Sequence, residues 1–290
     1  MKKPMSPHAP LIVSIAVAML IVVVWFLGSA KPKQVPHYAT PEQKEYAILV
    51  GDLSEDGKTI PDKPSDFPTP AKFAKLVWTQ LSDPFYDKGP NNKGIGLQLG
   101  YSLGRVLVGY LLAVLVALPL GYLIGISPLL SKVLTPYIQL LKPISPLAWM
   151  PIALYTIKDS NLSAIFVIFI CSLWPMLMNT AFGISNVRKE WINVAATLEV
   201  KPMRKAFQIM LPAAAPAIIT GMRISMGIAW LVIVAAEMLV GGTGIGYYLW
   251  NQWNNLSLGN VIFAVLIIGV VGMLLDMVFV RLQKAVSYVE

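Results

Sequence analysis

The sequence predicts an all-α membrane protein with six transmembrane helices, and three observations carry that prediction. Of its 290 residues 56% are hydrophobic and 13% charged, with a mean hydropathy of +0.64. A soluble fold of this size needs more polar surface than that. Apolar stretches long enough to cross a hydrocarbon core, at about 1.5 Å per helical residue, recur along the chain. The formal net charge of +8 is also distributed in a telling way. Residues 31–93 hold nine Lys and nine acidic residues, so the whole excess of cations lies between the apolar stretches. That is the positive-inside pattern of a membrane topology, and not a basic patch that grips nucleic acid.

The chain is read in order as follows. Lys2 and Lys3 precede Leu11–Gly28, 18 residues without a charge. A secretory signal competes for this stretch, but the apolar run is longer than a usual signal core, which argues for a retained anchor starting in the cytoplasm. Residues 31–96 form a polar extracytoplasmic segment. Its 31–93 portion has nine prolines, with a short helix over Pro70–Leu81 presenting Phe73, Leu76 and Val77 on one face. The apolar core runs from 97 to 282. Leu97–Ile126 carries Arg105 and the glycines 100, 104 and 109; Ser127–Lys132 reads as a tight turn. Val133–Ile157 contains Pro136, Pro143, Pro146 and Pro151, which break a straight helix. Broken backbone at membrane depth is tolerated where it is buried in protein or lines a water-filled path, so Pro143, Pro146, Trp149 and Pro151 are candidate pathway residues. Leu162–Phe182, Ala213–Val240 and Asn260–Val280 complete the crossings, and 283–290 is a cytoplasmic tail. Both termini are expected inside.

No enzyme signature is present. His8 and His37 fall in polar stretches on opposite sides of the first crossing, and Cys171, alone in the chain, sits in an apolar run as a small core residue. There is no GxxxxGK[ST] loop for ATP. GGTGIG at 241–246 follows a membrane helix and reads as a tight re-entrant turn and not as a phosphate loop. Charges within apolar segments are costly, so Arg105, Arg223, Glu237 and Asp276 must face a cavity, a partner or the interface. The first three join the candidate pathway set, with a structural salt bridge or snorkelling to headgroups as the competing reading for the two arginines. Arg223 and Glu237, 14 residues apart, are roughly 21 Å from each other along a helix and cannot pair. Asp276 reads as an interfacial or capping group.

Residues 188–212, RKEWINVAATLEVKPMRKAFQIMLP, form a charged island between apolar segments, with five basic and two acidic residues. It reads as two short helices separated by Lys201-Pro202. Trp191, Val194, Ala195 and Leu198 share one face; Phe207, Met210 and Leu211 share another. An amphipathic connector and a docking surface for a cytoplasmic partner both fit that pattern.

On these residues the sequence resembles the permease subunits of binding-protein-dependent ABC importers, in the branch serving nitrate, nitrite, bicarbonate, cyanate, taurine and alkanesulfonates. The likeness covers about Asp83 to Leu282. The family's loop motif, roughly EAAxxxGxxxxxxFxxVxLP, corresponds to Asn193, Val194, Ala195, Ala196, Leu198 and Glu199, then Phe207, Leu211 and Pro212. Asn193 stands where the family has its leading acid and Glu199 where it has glycine, so a less tight turn is expected there. LPAAAPAIITGMRISMGIAWLVIVAAEMLVGGTGIG continues the match, and DPFYDKGPNNKGIGLQL, LLKPISPLAWMPIAL and FVIFICSLWPMLMNTAFGI look like nitrate-type permeases, with bicarbonate permeases sharing much of this.

The resemblance implies the type I ABC importer permease fold, with cytoplasmic coupling helices at 188–212, in a bacterial inner membrane. It implies a second permease copy, two cytoplasmic ATP-binding cassette subunits that hold ATP and Mg, and an extracytoplasmic solute-binding protein. No cofactor is expected on this chain itself. The implied cargo is a small anion, nitrate or nitrite for nitrate assimilation, with bicarbonate, cyanate or sulfonate as alternatives. A non-ABC secondary anion transporter would need its own coupling-ion site and often an inverted repeat, and neither is visible.

Overall fold

The computed structural model describes residues 9–29, 41–50, 53–54, 66–89 and 92–286. The described residues are helical apart from loops, turns and one isolated bridge between Asp87 and Lys93. Among the described residues, five helices are long and apolar enough to cross a membrane, and a bent helix pair supplies a sixth candidate. The chain divides into two units, residues 1–83 with 252–263 and residues 84–251 with 264–290.

In the first unit α1 (Ala9–Ser29) is an uncharged helix whose apolar side chains from Ile12 to Leu27 are exposed except for the half-buried Trp25. A short helix α2 (Pro41–Leu49), which the sequence reading did not anticipate, buries Ala47. The expected helix at Pro70 is present as α3 (Pro70–Ser82). Thr69 caps it by accepting from the Lys72 N–H, and Pro70 takes a first-turn position where its missing N–H costs nothing. Of the face proposed for it, Phe73 is buried, Leu76 reaches Gly259 and Val77 is half-buried. Residues 55–65 of the polar segment lie outside the described residues.

The second unit is built around α7 (Ser160–Ser185), which packs along α4 (Ile95–Ile126) and α10 (Leu211–Val240). Glycines set the α4–α7 approach. A Cβ on Gly109 would meet Ile168 at 2.8 Å, one on Gly121 would meet Thr180 at 2.7 Å, and one on Gly125 would meet Ile184 at 2.6 Å. Gly100 and Gly104 instead face open space, in a groove of about 560 Å³ that Arg105 and Asn161 also line. Polar starts recur: Asp159 accepts from the Leu162 N–H at the head of α7, and Ser127 and Ser145 do the same for α5 (Pro128–Leu141) and α6 (Pro146–Ile157).

Two sequence expectations need correction. The turn read over Ser127–Lys132 shrinks to Ser127 alone, because a serine cap followed by Pro128 restarts a helix at once. The island's second helix is also not separate from the fifth crossing. α9 (Pro202–Lys205) passes through a π-helical segment, Ala206–Met210, directly into α10. There the Leu211 N–H donates to the Ala206 carbonyl, one residue farther back than in an α-helix. Pro212 and Pro216 lack N–H groups, and a π turn at their head shifts the bonding register without ending the helix. The proline-rich third crossing is broken as expected. α5 and α6 meet at 91°, with Pro143 in the turn, Pro146 opening α6 and Pro151 within it.

α11 (Ile245–Asn254) and α12 (Leu258–Val286) close the chain. The part of α12 in the second unit packs on α10, where a Cβ on Gly272 would touch the Trp230 ring at 3.1 Å and the Trp230 indole donates to the Ile268 carbonyl at 3.0 Å.

Candidate functional site

Two ion pairs sit on α10, one near its C-terminal end and one close to its middle. Near its C-terminal end Glu237 is buried, and a guanidinium, a hydroxyl and a backbone N–H donate to its carboxylate. Arg105 Nη1 donates to Glu237 Oε1 at 2.7 Å and to the Thr243 carbonyl at 2.6 Å. Ser102 Oγ donates to the same carboxylate at 2.8 Å while accepting the Ile245 N–H at 2.9 Å. The Gly246 N–H donates to Oε2 at 3.0 Å, and the Gly244 N–H to Gln98 Oε1 at 2.6 Å. Arg105 Nε and Nη2 both donate to Asn161 Oδ1, at 3.0 and 2.6 Å. The result is a clasp of α4, α7, α10 and the 241–246 loop about one carboxylate.

The sequence explains this loop. Gly241 and Gly242 have φ of +77° and +93°, which only glycine adopts freely. A Cβ on Gly244 would land on the Glu237 carboxylate, and one on Gly246 on the Val234 carbonyl. GGTGIG is thus a tight turn, as read, and its glycines make room for Glu237. Gln98, Ser102 and Asn161 were missed as site residues. The signal available was the spacing 98, 102 and 105, which lines three polar side chains along one face of an apolar helix.

Farther toward the N-terminal end of α10, Arg223 forms a two-pronged pair with Asp276 of α12, Nε to Oδ1 at 2.6 Å and Nη2 to Oδ2 at 2.8 Å. Gln283 lies at 3.5 Å from Nη1 and donates to Thr220 Oγ1 at 3.2 Å. This pair is open, with side chains 37% and 50% exposed, against 13% and 2% for Arg105 and Glu237. Asp276, read as interfacial or capping, is instead the partner of Arg223. Arg223 and Glu237 do not pair with each other. Among the bend residues, Trp149 sets its ring edge-on to Phe166 at 6.5 Å.

The island between α7 and α10 folds as α8 (Lys189–Thr197), a turn, and α9. Its root is apolar: Ile184, Val187, Met210, Ala214 and Ile218 form one cluster, with Ile192, Leu211, Leu118 and Tyr122 packed on it. Trp191, Val194, Leu198, Met203 and Phe207 are exposed. Ala195, read as sharing a face with Trp191, Val194 and Leu198, is buried, so the exposed part of that face is narrower than the sequence pattern indicated. Asn193, Ala196 and Pro212 are exposed and Leu211 half-buried.

The turn after α8 corrects the expectation of looseness. The Val200 N–H donates to the Ala195 carbonyl at 3.0 Å and the Glu199 N–H to the Ala196 carbonyl at 3.1 Å, a Schellman closure. Glu199 takes φ of +50°, the left-handed conformation that glycine adopts without strain. The turn keeps its tight geometry, with backbone strain where a glycine would carry none.

These elements match known proteins. Residues 97–288 match the family described as binding-protein-dependent transport system inner membrane component. The chain is 42% identical over 226 residues to the nitrate import permease protein NrtB of Synechocystis sp., covering 78% of this chain and 82% of the relative. It is 43% identical over 207 residues to NrtB of Leptolyngbya laminosa, covering 71% and 74%. It is 45% identical over 210 residues to the bicarbonate transport system permease protein CmpB of Synechocystis sp., covering 72% and 75%. Among solved structures, an inward-facing MetNI methionine ABC transporter superposes with a TM-score of 0.59 at 15% identity, covering 66% of this chain and 95% of that one. That likeness is one of fold. The chain belongs to the family of binding-protein-dependent transport system inner membrane components, the multi-pass permease subunits of ABC importers.

Proposed function

We propose that this chain is the membrane pathway of an ATP-driven importer for a small inorganic anion, nitrate or nitrite, working by alternating access. The observation that carries the mechanism is the exposed apolar face of Trp191, Val194, Leu198, Met203 and Phe207 on an element rooted in the spans by the Ile184–Met210 cluster. Such a face has no reason to be apolar in water and every reason to be so against a partner. In this reading α8 and α9 are coupling helices: Asn193, Val194, Ala195, Ala196, Leu198, Glu199, Phe207, Leu211 and Pro212 dock or shape the seat of two cytoplasmic ATPase subunits. Those subunits hold ATP and Mg and hydrolyse it; motion of α8 passes to α7 and α10 through the cluster. Nitrate is chosen over other anions because NrtB relatives match over most of the chain, and the CmpB likeness makes bicarbonate the second reading.

The charge bias of the loops supports a cytoplasmic side for both termini and the island and an external side for the segment before Asp83. The Arg223–Asp276 pair is half exposed on apolar helices, which favours burial against a second permease copy or along a watered path. We assign the path to the α5–α6 bend, with Pro143, Pro146, Trp149 and Pro151, and to Arg223. Arg105 and Glu237 hold its α10–α11 end. The test of coupling is copurification of the ATPase subunits with Val194→Asp and Phe207→Asp, changes at exposed positions that leave the fold intact. Loss of the ATPase with normal membrane insertion is the expected result, and full retention in both would refute the docking assignment. Anion choice is read by ATP-dependent uptake of labelled nitrate in competition with bicarbonate.

A further inference from the structure

We propose that α3 is an interfacial helix whose uncovered apolar face, Ala71, Ala74, Trp78 and Leu81, rests in the lipid of the outer leaflet. The assignment to the outer side rests on the topology given above; contact with lipid does not. At ~100° per residue the helix has three faces. One is already covered: Phe73 meets the Trp25 ring at 5.3 Å, Leu76 approaches Gly259, and Gln80 donates to Asn260 Oδ1 at 3.1 Å. A second is polar, with Lys72, Lys75, Thr79 and Ser82. The third adjoins the first, is entirely apolar and is bare: Trp78 is 78% and Leu81 48% exposed.

What covers this face follows from where the helix is tied. Its cap is fixed beside the end of α1, where the Trp25 indole donates to the Pro68 carbonyl at 2.9 Å, four residues before that uncharged span ends. Its far half is fixed to the first residues of α12. Both anchors are the places where apolar spans meet water, so the helix lies at bilayer height and its polar face alone needs water. Trp25 and Trp78 fit the aromatic belt of that boundary, and exposed Trp253 and Leu256 just before α12 extend it.

The test uses single cysteines in a Cys171→Ala background, at Trp78→Cys, Leu81→Cys and Lys75→Cys. Each is labelled with an environment-sensitive fluorophore in the assembled importer in lipid nanodiscs. An interfacial helix sits roughly 5–10 Å into the headgroup and acyl boundary. Labels at 78 and 81 should therefore be blue-shifted and quenched by lipid carrying a spin label near the top of its acyl chain, while the label at 75 is quenched by aqueous iodide. Iodide quenching at all three positions would overturn the proposal. So would labels at 78 and 81 that neither quencher reaches, which marks a second copy, or that become shielded only when the solute-binding protein is added. Labelling of Lys75→Cys by an impermeant maleimide in spheroplasts is expected; labelling in inverted vesicles alone would overturn the outer placement, a failure of the topology that the lipid quenching data distinguish.

Discussion

The two ion pairs on α10 join the same kinds of group and do opposite work. Glu237 is buried and Arg105 largely covered, and the carboxylate is bonded by a guanidinium, a hydroxyl and a backbone N–H. Arg223 and Asp276 are half exposed and bonded mainly to each other. A fully satisfied buried pair fixes a structure, because removing either member strands the other in a medium that cannot solvate it. An open pair fixes little and leaves charge within reach of whatever fills the space beside it. The first pair therefore reads as a fastening for the 241–246 loop, and the second as the one that a passing anion can meet.

The largest break in this comparison is Glu237→Gln. It leaves Arg105 buried beside a neutral amide and should cost about 3–5 kcal/mol, seen as a large fall in melting temperature or loss of folded protein in detergent. Pairing it with Arg105→Gln should recover part of that loss; strict additivity would show that the clasp is not one unit. Gly244→Ala comes next, at about 1–3 kcal/mol, because the new methyl group lands on the Glu237 carboxylate and displaces the loop. Glu199→Gly sharpens the contrast from a third site, since it relieves a left-handed residue in an exposed turn and should raise stability by about 1 kcal/mol. Asp276→Asn should be smallest in stability, with little change in melting temperature, as for other exposed pairs, while still altering uptake.

How much of this was legible in the sequence depends on the range of the interaction. The bend between α5 and α6 was readable because Pro143 and Pro146 act on their own neighbours. The helix from Pro70 was readable for the same reason, with Thr69 and Pro70 setting its start. The clasp was not, because Arg105 and Glu237 are 132 residues apart and nothing in either local pattern names the other. What local reading does provide is the cost: two charges in apolar helices had to be answered somewhere, and Ser102 and Gln98 on the face of Arg105 were the visible hint. The continuity of α9 with α10 was hidden because prolines that end a helix in one register are accommodated in another by a π turn. At Glu199 the residue type pointed to a looser turn, but the backbone bonds around it retained the tight one.

The most direct test of the account is uptake by proteoliposomes holding the permease, its ATPase subunits and its solute-binding protein, compared between the wild type and Arg223→Gln. The account predicts nitrate accumulation that requires ATP and all components, and a severe loss with Arg223→Gln in complexes that assemble normally. Unchanged uptake with Arg223→Gln would remove Arg223 from the path, and accumulation without the ATPase subunits would contradict the importer assignment itself.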